Sequence, residues 1–354
     1  MRVALDVMGG DYAPIEIIEG ALLAVHEIKE IEKVYLVGKK DEITKVLSGR
    51  YHDKIEITLA EEVIGMNEHP GEAYRNKKNS SIVVATKLVK DGLADVVISA
   101  GSTGAQLAAS LFELGRIKGI KRPAIGVFLP TLQGDKLLLD AGANTIVNEE
   151  VLYQFSLMGS IFYSLKNKIH SPKIALINNG SEENKGTDLL QNTWKLLKKS
   201  NQINFIGNAE GKDIAYGIAD VYVCDGFTGN IILKTMEGLG KTIFLMLKDY
   251  INSSFRFKIG GYLLKPAFMK IHNTMDSNRV GGAPLLGING LSIVCHGSSS
   301  RKAILAAFNS ALVCHEERLI EKIQDQTQAE AEFNKSVAPL LQKENEEINK
   351  IAQP

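Results

Sequence analysis

The chain has 354 residues, with 41 basic and 41 acidic side chains and a formal net charge of zero. Its hydrophobic fraction of 45% excludes intrinsic disorder for most of the chain, and the lack of a basic excess argues against a nucleic acid partner. A chain of this size buries a stable core without disulfides or metals, so Cys224, Cys295 and Cys314 are expected to be reduced thiols.

The first apolar run, Arg2–Met8, predicts a buried strand. It is followed by Asp11, which can cap a helix, and by Pro14, which can open one. The further predicted strands are Val34–Val37, Ile55–Leu59, Val96–Ser99, Ala124–Leu129, Lys136–Asp140, Lys173–Ile177, Ile203–Ile206 and Val221–Cys224. The predicted helices between them are Ser80–Asp91, Thr103–Leu114, Asn148–Lys166 and Thr187–Ser200. This alternation predicts an α/β fold in three layers, with a largely parallel sheet covered by helices on both faces.

The last third of the chain is predicted to be mostly helical apart from a glycine-rich segment near residues 281–297. Within it, residues 250–275 carry basic and apolar side chains and no acidic one, and they predict a protruding helical hairpin. Two interpretations stay open: the hairpin packs on itself or on a second subunit, or its tip touches an anionic membrane surface. The residues that would make such contacts are Arg256, Lys258, Tyr262, Leu263, Lys265, Phe268 and Lys270.

We interpret residues 1–325 as a single α/β/α domain that includes the helical tip at about 240–275, and residues 326–354 as a C-terminal helical arm. Asp6 interrupts the first apolar run, which is not the pattern of a secretory signal. The longest uncharged stretch, residues 280–300, contains several glycines and a proline, so no membrane-spanning helix is predicted.

Glycine-rich loops follow five of the predicted strands. They lie at residues 8–11, 100–105, 140–144, 178–187 and 225–230. The carboxyl ends of parallel strands meet at one edge of a sheet, which is where open α/β sheets bind their ligands. Glycine lets backbone amides approach a ligand closely, and a helix N-terminus favours an anion. Together the loops predict a cleft for a phosphate-like ligand.

Neither a metal nor an organic cofactor is predicted. Four aspartates in or beside the loops are expected to accept capping and turn hydrogen bonds rather than to hold a metal. They are Asp6, Asp11, Asp140 and Asp225. No G-x-G-x-x-G motif follows the first strand, so nothing indicates a dinucleotide site.

A series of ordered motifs from the first strand to about residue 320 resembles the bacterial phosphate acyltransferase family, which acts in phospholipid synthesis. The motifs are Asp6-Val7-Met8-Gly9-Gly10-Asp11 with Pro14, Glu68-His69-Pro70, residues 77–82, 99–105, 140–144, 178–186, 207–211, 225–230, 281–287 and 296–299. The resemblance implies a homodimer with a fold like that of isocitrate dehydrogenase and phosphotransacetylase.

The same resemblance implies the reaction. A long-chain acyl group would pass from acyl-acyl-carrier-protein to inorganic phosphate, giving acyl phosphate and free carrier protein. The acyl phosphate would feed a membrane glycerol-phosphate acyltransferase, the first acylation of phospholipid synthesis. The implied location is the cytoplasm, with peripheral association at the inner face of the cell membrane and contact with that membrane enzyme.

Two residues are expected to be catalytic. Lys185 would neutralise phosphate or the oxyanion, and Asn230 would donate its amide to the oxyanion, while the amides and hydroxyls of Gly101–Gly104 would hold phosphate. The full set expected to bind phosphate or substrate is Gly9, Gly10, Asp11, His69, Gly101, Ser102, Thr103, Gly104, Asn144, Gly229 and His296.

The chain departs from the family pattern at a few positions. Ser102 stands where the family usually has asparagine, although serine can also cap a helix. Asn179, Ser181 and Asn184 differ from the usual residues as well, whereas Lys185 and Gly186 are kept.

Two other functions remain alternatives: a phosphotransacetylase acting on short acyl-CoA, and a non-catalytic membrane-associated scaffold. Because carrier proteins are acidic and this chain is neutral overall, carrier docking requires a local basic patch. The basic residues of the hairpin are candidates for it. Other candidates are Arg75, Lys77, Lys78, Arg116, Lys118, Lys121 and Arg122.

Overall fold

A computed structural model describes residues 1–50, 52–275 and 281–329 of the chain. The first of its two sheets has seven strands in the spatial order β3-β2-β1-β4-β12-β11-β5. These strands are β1 (Arg2–Asp6), β2 (Lys33–Gly38), β3 (Ile55–Leu59), β4 (Val96–Ser99), β5 (Ala124–Ile125), β11 (Ala283–Leu286) and β12 (Leu291–Val294). The five strands from β3 to β12 are parallel, and β11 is antiparallel to both of its neighbours.

The second sheet has five strands in the order β6-β7-β10-β8-β9. These strands are β6 (Val127–Thr131), β7 (Gly134–Leu139), β8 (Ile174–Ile177), β9 (Phe205–Ala209) and β10 (Val221–Val223). All of them are parallel except β6, which runs antiparallel to β7.

Eleven named helices connect and cover these strands. They are α1 (Ile15–Glu27), α2 (Lys40–Leu47), α3 (Pro70–Asn76), α4 (Ser81–Lys90), α5 (Thr103–Glu113), α6 (Glu149–Asn167), α7 (Asp188–Lys199), α8 (Gly211–Tyr216), α9 (Gly226–Asn252), α10 (Phe255–Met275) and α11 (Arg301–Glu316). Residues 319–329 are also helical.

Successive residues of a central strand point to opposite faces of its sheet, and both faces are apolar. Both faces of each sheet must therefore be covered by other elements of the fold. Val3, Leu5 and Leu137 belong to one large cluster that is continuous between the two sheets. Ala4 belongs to a second cluster on the opposite face of the first sheet, and Leu138 to a third on the opposite face of the second sheet. The predicted three-layer α/β/α fold is therefore confirmed.

Several details differ from the prediction. The segment Ala124–Leu129 is not one strand, because the chain leaves the first sheet after Ile125 and enters the second at Val127. At the crossing, a side chain on Gly126 would lie 3.1 Å from Leu137 Cδ1, so the close approach of the two sheets favours glycine there. The glycine-rich segment near 281–297 contains the strands β11 and β12, which the prediction missed.

Two boundaries are also corrected. Helix α1 begins after Pro14, which occupies the N-cap without a side-chain hydrogen bond, so the capping role predicted for Asp11 is wrong. Strand β9 begins at Phe205, two residues later than predicted, and the side chain of Ile203 before it is buried in the core.

A helical hairpin is present, but residues 250–275 do not form it alone: they are mainly the single helix α10, which pairs with the outer part of α9. The two helices approach closely, since a side chain on Gly261 would lie 2.6 Å from Ile251 Cγ2. Large apolar side chains of α10 are exposed, including Tyr262 at 78% and Leu263 at 72%. In the described part of the chain no helix is both long and apolar enough to span a bilayer. Most of the predicted arm, residues 330–354, lies outside the described residues.

Candidate active site

The loops that follow β1 and β4 are fastened together by a buried carboxylate. Asp6 is 2% exposed and its Oδ2 accepts a hydrogen bond of 2.7 Å from Ser99 Oγ. Ser99 Oγ in turn accepts one of 3.0 Å from the Gly101 amide. Burial raises the pKa of Asp6, while hydrogen bonds from the Ser81 and Ser99 side chains and from the Met8 and Gly9 amides oppose the rise. A side chain on Gly9 would lie 2.7 Å from both Asp6 Oδ2 and the Gly101 nitrogen, so only glycine permits this contact.

The loop after β12 and the start of α3 join the same group. The Asp11 amide donates a hydrogen bond of 2.8 Å to the Gly297 carbonyl. Gly10 has a φ of +114°, a backbone conformation that favours glycine. A side chain on Gly104 would lie 2.5 Å from Pro70 Cγ, which places the start of α3, with exposed His69 at its N-cap, against the start of α5. We call the loops after β1, β4 and β12, together with the start of α3, the first loop cluster.

The N-terminus of α5 within this cluster is suited to an anion. Ser102 occupies the N-cap and its Oγ accepts from the Ala105 amide at 3.4 Å, as the sequence predicted. The amides of Thr103 and Gly104 are the first two of the helix and have no partner within it. Because the cap is a neutral serine, the positive end of the helix dipole is not compensated there.

His296 provides one further donor beside this cluster. The Ser298 amide donates to His296 Nδ1 at 3.1 Å, which makes Nδ1 an acceptor. In the neutral ring the proton is then on Nε2. The imidazole is exposed, so this N–H is available to a ligand.

A second loop cluster is organised by Asp140, whose side chain is fully buried. Its Oδ1 accepts hydrogen bonds from the amides of Ile125, Gly142 and Ala143 at 3.0–3.2 Å. Its Oδ2 accepts from the Asn144 amide at 2.7 Å and from Asn144 Nδ2 at 2.9 Å. Burial raises the pKa of Asp140 against the effect of these donors. The carboxylate therefore shapes the loop after β7.

The N-terminus of α9 packs against this loop. The Gly226 amide donates to the Asn144 carbonyl at 2.6 Å, and Asn144 Nδ2 also donates to the Pro123 carbonyl at 2.7 Å. A side chain on Gly229 would overlap the Asp140 carbonyl oxygen. Asn144 and Gly229, both predicted to bind substrate, are thus engaged in packing the loop. Asn230 is exposed and lies beside Gly142.

The helices α5 and α9 offer an anion different surroundings. Asp225 caps α9, accepting from the Thr228 amide at 2.9 Å and from Thr228 Oγ1 at 2.7 Å. Its carboxylate satisfies the helix end and repels a second anion. Ser102 has no such charge, so the N-terminus of α5 is better suited to an anion than that of α9.

Lys185 lies in the loop between β8 and α7. Its Nζ is 3.9 Å from Glu182 Oε1, and its side chain is 48% exposed. The ammonium group is therefore free to approach an anion by rotation of its side chain.

The structure thus places the predicted residues in three groups. The first cluster contains Gly9, Gly10, Asp11, His69, Gly101, Ser102, Thr103, Gly104 and His296. The second contains Asn144, Gly229 and Asn230. Lys185 forms the third group by itself, in the loop between β8 and α7. Leu107 of α5 and Leu233 of α9 pack on one small apolar cluster with Ala141, which connects the first two groups.

The turn and capping hydrogen bonds predicted for Asp6, Asp140 and Asp225 are confirmed, whereas the role of Ser99 was not predicted. The available signal for Asp6 was an acidic residue inside an otherwise apolar strand, where burial requires hydrogen-bond partners. Among the described residues, no group of three or more His, Cys, Asp or Glu side chains is arranged to hold a metal ion.

Comparisons with known proteins agree with this fold and these motifs. A family model described as "Fatty acid synthesis protein" matches residues 1–322. A phosphate acyltransferase from Desulfitobacterium hafniense is 52% identical over 325 residues, covering 91% of this chain and 96% of that protein. One from Dictyoglomus thermophilum is 51% identical over 314 residues, covering 88% and 93%.

Solved structures show the same fold at low sequence identity. A phosphotransacetylase from Streptococcus pyogenes has a TM-score of 0.59 and 17% identity, covering 88% of this chain and 94% of its own. One from Staphylococcus aureus has a TM-score of 0.57 and 16% identity, covering 90% and 94%.

Proposed function

The chain belongs to the fatty acid synthesis protein family, and on that premise we propose that it forms acyl phosphate from inorganic phosphate and a long-chain acyl-acyl-carrier-protein. The relatives named phosphate acyltransferase make it an acyltransferase. A phosphate oxygen would attack the thioester carbonyl carbon to form a C–O bond. The C–S bond would then break, and the carrier protein would leave as a thiolate that takes up a proton.

The observation that supports this proposal most is the N-terminus of α5. Its Thr103 and Gly104 amides are without helical partners, its cap is neutral, and three glycine-containing loops meet beside it. Phosphate at neutral pH is already an anionic nucleophile, so the site needs no base to generate one. The chemical requirement is to bring a dianion to a carbonyl whose oxygen also becomes negative.

Fixed donors meet that requirement, because they stabilise charge as it develops without reorganising. In the proposal Lys185 neutralises phosphate or the oxyanion as a mobile point charge. Asn230 donates its side-chain amide to the oxyanion, and its exposure beside Gly142 supports this role. Holding both reactants in position supplies much of the remaining acceleration.

The exposed hairpin supports a peripheral role at a surface. Its basic side chains Arg256, Lys258, Lys265 and Lys270 are exposed together with apolar ones. We propose that this tip touches the anionic inner face of the cell membrane, where acyl phosphate passes to the membrane glycerol-phosphate acyltransferase. A homodimer in the cytoplasm, and docking of the acidic carrier protein on a basic patch, belong to the same proposal.

The test is release of free carrier protein from palmitoyl-carrier protein, with and without phosphate, beside palmitoyl-CoA and acetyl-CoA. Release that requires both phosphate and the carrier-linked donor supports the proposal. Equal or greater use of either CoA thioester contradicts the carrier preference and favours a phosphotransacetylase. No release from any donor favours a non-catalytic scaffold.

A further inference from the structure

We propose that Asn178, Asn208 and Gln191 are positioning residues that hold the Lys185 loop (residues 179–186) in its working shape. The inference rests on the proposed function, in which Lys185 faces an anionic reactant. It assigns a purpose to three neutral side chains that do not themselves touch substrate.

Asn178 fastens the loop at both of its ends. Its own amide donates to the Ala209 carbonyl at 2.9 Å, which anchors it to the neighbouring strand β9. Its Nδ2 donates to the Lys185 carbonyl at 3.1 Å, and its Oδ1 accepts from the Asn179 amide at 2.8 Å. Gly186 has a φ of +84°, and a side chain there would overlap the Asn178 carboxamide. The backbone on either side of the lysine is therefore tied to one side chain.

Asn208 and Gln191 hold the interior of the loop from two other elements. Asn208 on β9 donates from Nδ2 to the Glu182 carbonyl at 2.7 Å. Gln191 on α7 donates from Nε2 to the Asn184 carbonyl at 2.9 Å and to the Gly186 carbonyl at 3.3 Å. With Asn178, three carboxamides thus donate to four carbonyls within five residues of backbone, 182–186.

Burial does not hold this loop, because residues 181–185 are exposed. Its shape must come from these hydrogen bonds. Carboxamides donate to carbonyls without carrying charge, so they fix the backbone without adding a charge beside Lys185, whose ion-pair contact among the described residues is with Glu182 at 3.9 Å.

Asn208 shows most clearly that the loop is held in position at a cost in folding stability. It is 9% exposed, and within the described residues its Oδ1 accepts no hydrogen bond. A buried acceptor without a donor is unfavourable, and an apolar residue would avoid that cost. Such a trade is typical of residues kept for function rather than for folding.

The experiment compares Asn208→Ala with a matched control, Asn204→Ala, in the full chain. Asn204 precedes the same strand and also donates from Nδ2 to a carbonyl, that of Ser171 at 3.0 Å, but it lies outside the loop. Asn208→Ala is expected to lower kcat about fivefold to tenfold, the value of one hydrogen bond. It should leave Tm within about 2 °C of wild type. Asn204→Ala should change neither quantity.

Two further measurements separate positioning from a structural role. Trypsin cleavage of the Lys185–Gly186 bond, followed by mass spectrometry, should accelerate about fivefold in Asn208→Ala and not in Asn204→Ala. In a Lys185→Ala background, adding Asn208→Ala should cost no further activity, because the residue acts through the lysine.

The outcomes distinguish this inference from the proposed function. Unchanged cleavage in Asn208→Ala, or an activity loss that persists in the Lys185→Ala background, overturns the inference. If wild type shows no phosphate-dependent release, the proposed function fails, and accelerated cleavage would still show that Asn208 holds the loop.

Discussion

In the loops after β1 and β7, buried carboxylates accept hydrogen bonds from the surrounding backbone, whereas in the outer parts of α9 and α10 large apolar side chains face solvent. Asp6 and Asp140 are at most 2% exposed, but Tyr262 and Leu263 are more than 70% exposed. The fold itself thus fixes the loops, while it does not require the apolar residues of the hairpin. A group of large apolar side chains that the fold does not bury is typical of a surface that contacts another partner.

The largest expected effect is in the second loop cluster. Gly229→Ala should abolish folding or lower the free energy of unfolding by about 4 kcal/mol or more, because the added methyl group overlaps the Asp140 carbonyl oxygen. The control is Gly238→Ala on the same helix, where nothing lies within 4 Å of the added atom. It should stabilise the protein by about 0.5–1 kcal/mol. Urea denaturation measures both. Similar changes in the free energy of unfolding for both variants would contradict the view that the loops are fixed by the fold and the hairpin is not.

The next effect concerns turnover. Lys185→Ala should reduce phosphate-dependent release of carrier protein by on the order of 100-fold or more, if the ammonium stabilises the transition state. Its exposed side chain predicts a near-normal Tm. A variant that turns over normally would show that the assigned role of Lys185 is wrong.

A smaller loss is expected at the N-terminus of α5. Thr103→Pro removes one free amide at the first helical position, where proline is well tolerated and Ser102 already has an extended conformation. The KM for phosphate should rise about 10-fold to 100-fold, the value of a hydrogen bond to a charged group. Thr103→Ala keeps the amide and serves as the control. An equal rise in both would assign the effect to the hydroxyl.

The buried carboxylate of the first cluster predicts a pH effect. Because burial raises the pKa of Asp6 in the folded chain, the folded state binds more protons than the unfolded state between the two pKa values. The free energy of unfolding should then fall as pH rises from about 4, by up to about 1.4 kcal/mol per pH unit, relative to Asp6→Asn. Urea denaturation of both proteins across this range tests it. A free energy of unfolding that rises with pH in the wild type, relative to Asp6→Asn, would contradict it.

The smallest effect on stability is expected in the hairpin. Leu263→Ser should change the free energy of unfolding by less than about 0.5 kcal/mol, since the side chain is already in water. Leu139→Ser, at a fully buried position, should cost several kcal/mol. The hairpin variant should instead weaken binding to vesicles that contain anionic lipid. Unchanged vesicle binding would argue against contact of this residue with the membrane.

The sequence alone predicts the parts of the fold that depend on local pattern. Continuous apolar runs such as Val96–Ser99 predict buried parallel strands, and β4 has these bounds. The division into two sheets is not local, because it depends on where the chain crosses at Gly126. The strands β11 and β12 are short and flanked by glycines, and only pairing with β4 and β5 identifies them.

In the candidate site, too, local features can be predicted from the sequence, whereas contacts between distant residues cannot. Glycine-rich loops after strands, and the caps Ser102 and Asp225, are visible in the sequence. Whether each of these residues in fact caps its helix depends on hydrogen bonds such as that from the Thr228 amide to Asp225, which the sequence does not show. The hydrogen bond from Asn208 to the Glu182 carbonyl joins positions far apart in the chain, so no sequence pattern predicts it.

The place of β12 in the first sheet has a consequence for synthesis of the chain. Val96 of β4 pairs with Leu291 of β12, so one edge of β4 has no partner until the ribosome has made the chain as far as β12, almost 200 residues later. All strands of the second sheet lie between residues 127 and 223 and are complete earlier. We therefore expect the second sheet to assemble first during translation, while β4 waits with an open edge for a distant strand.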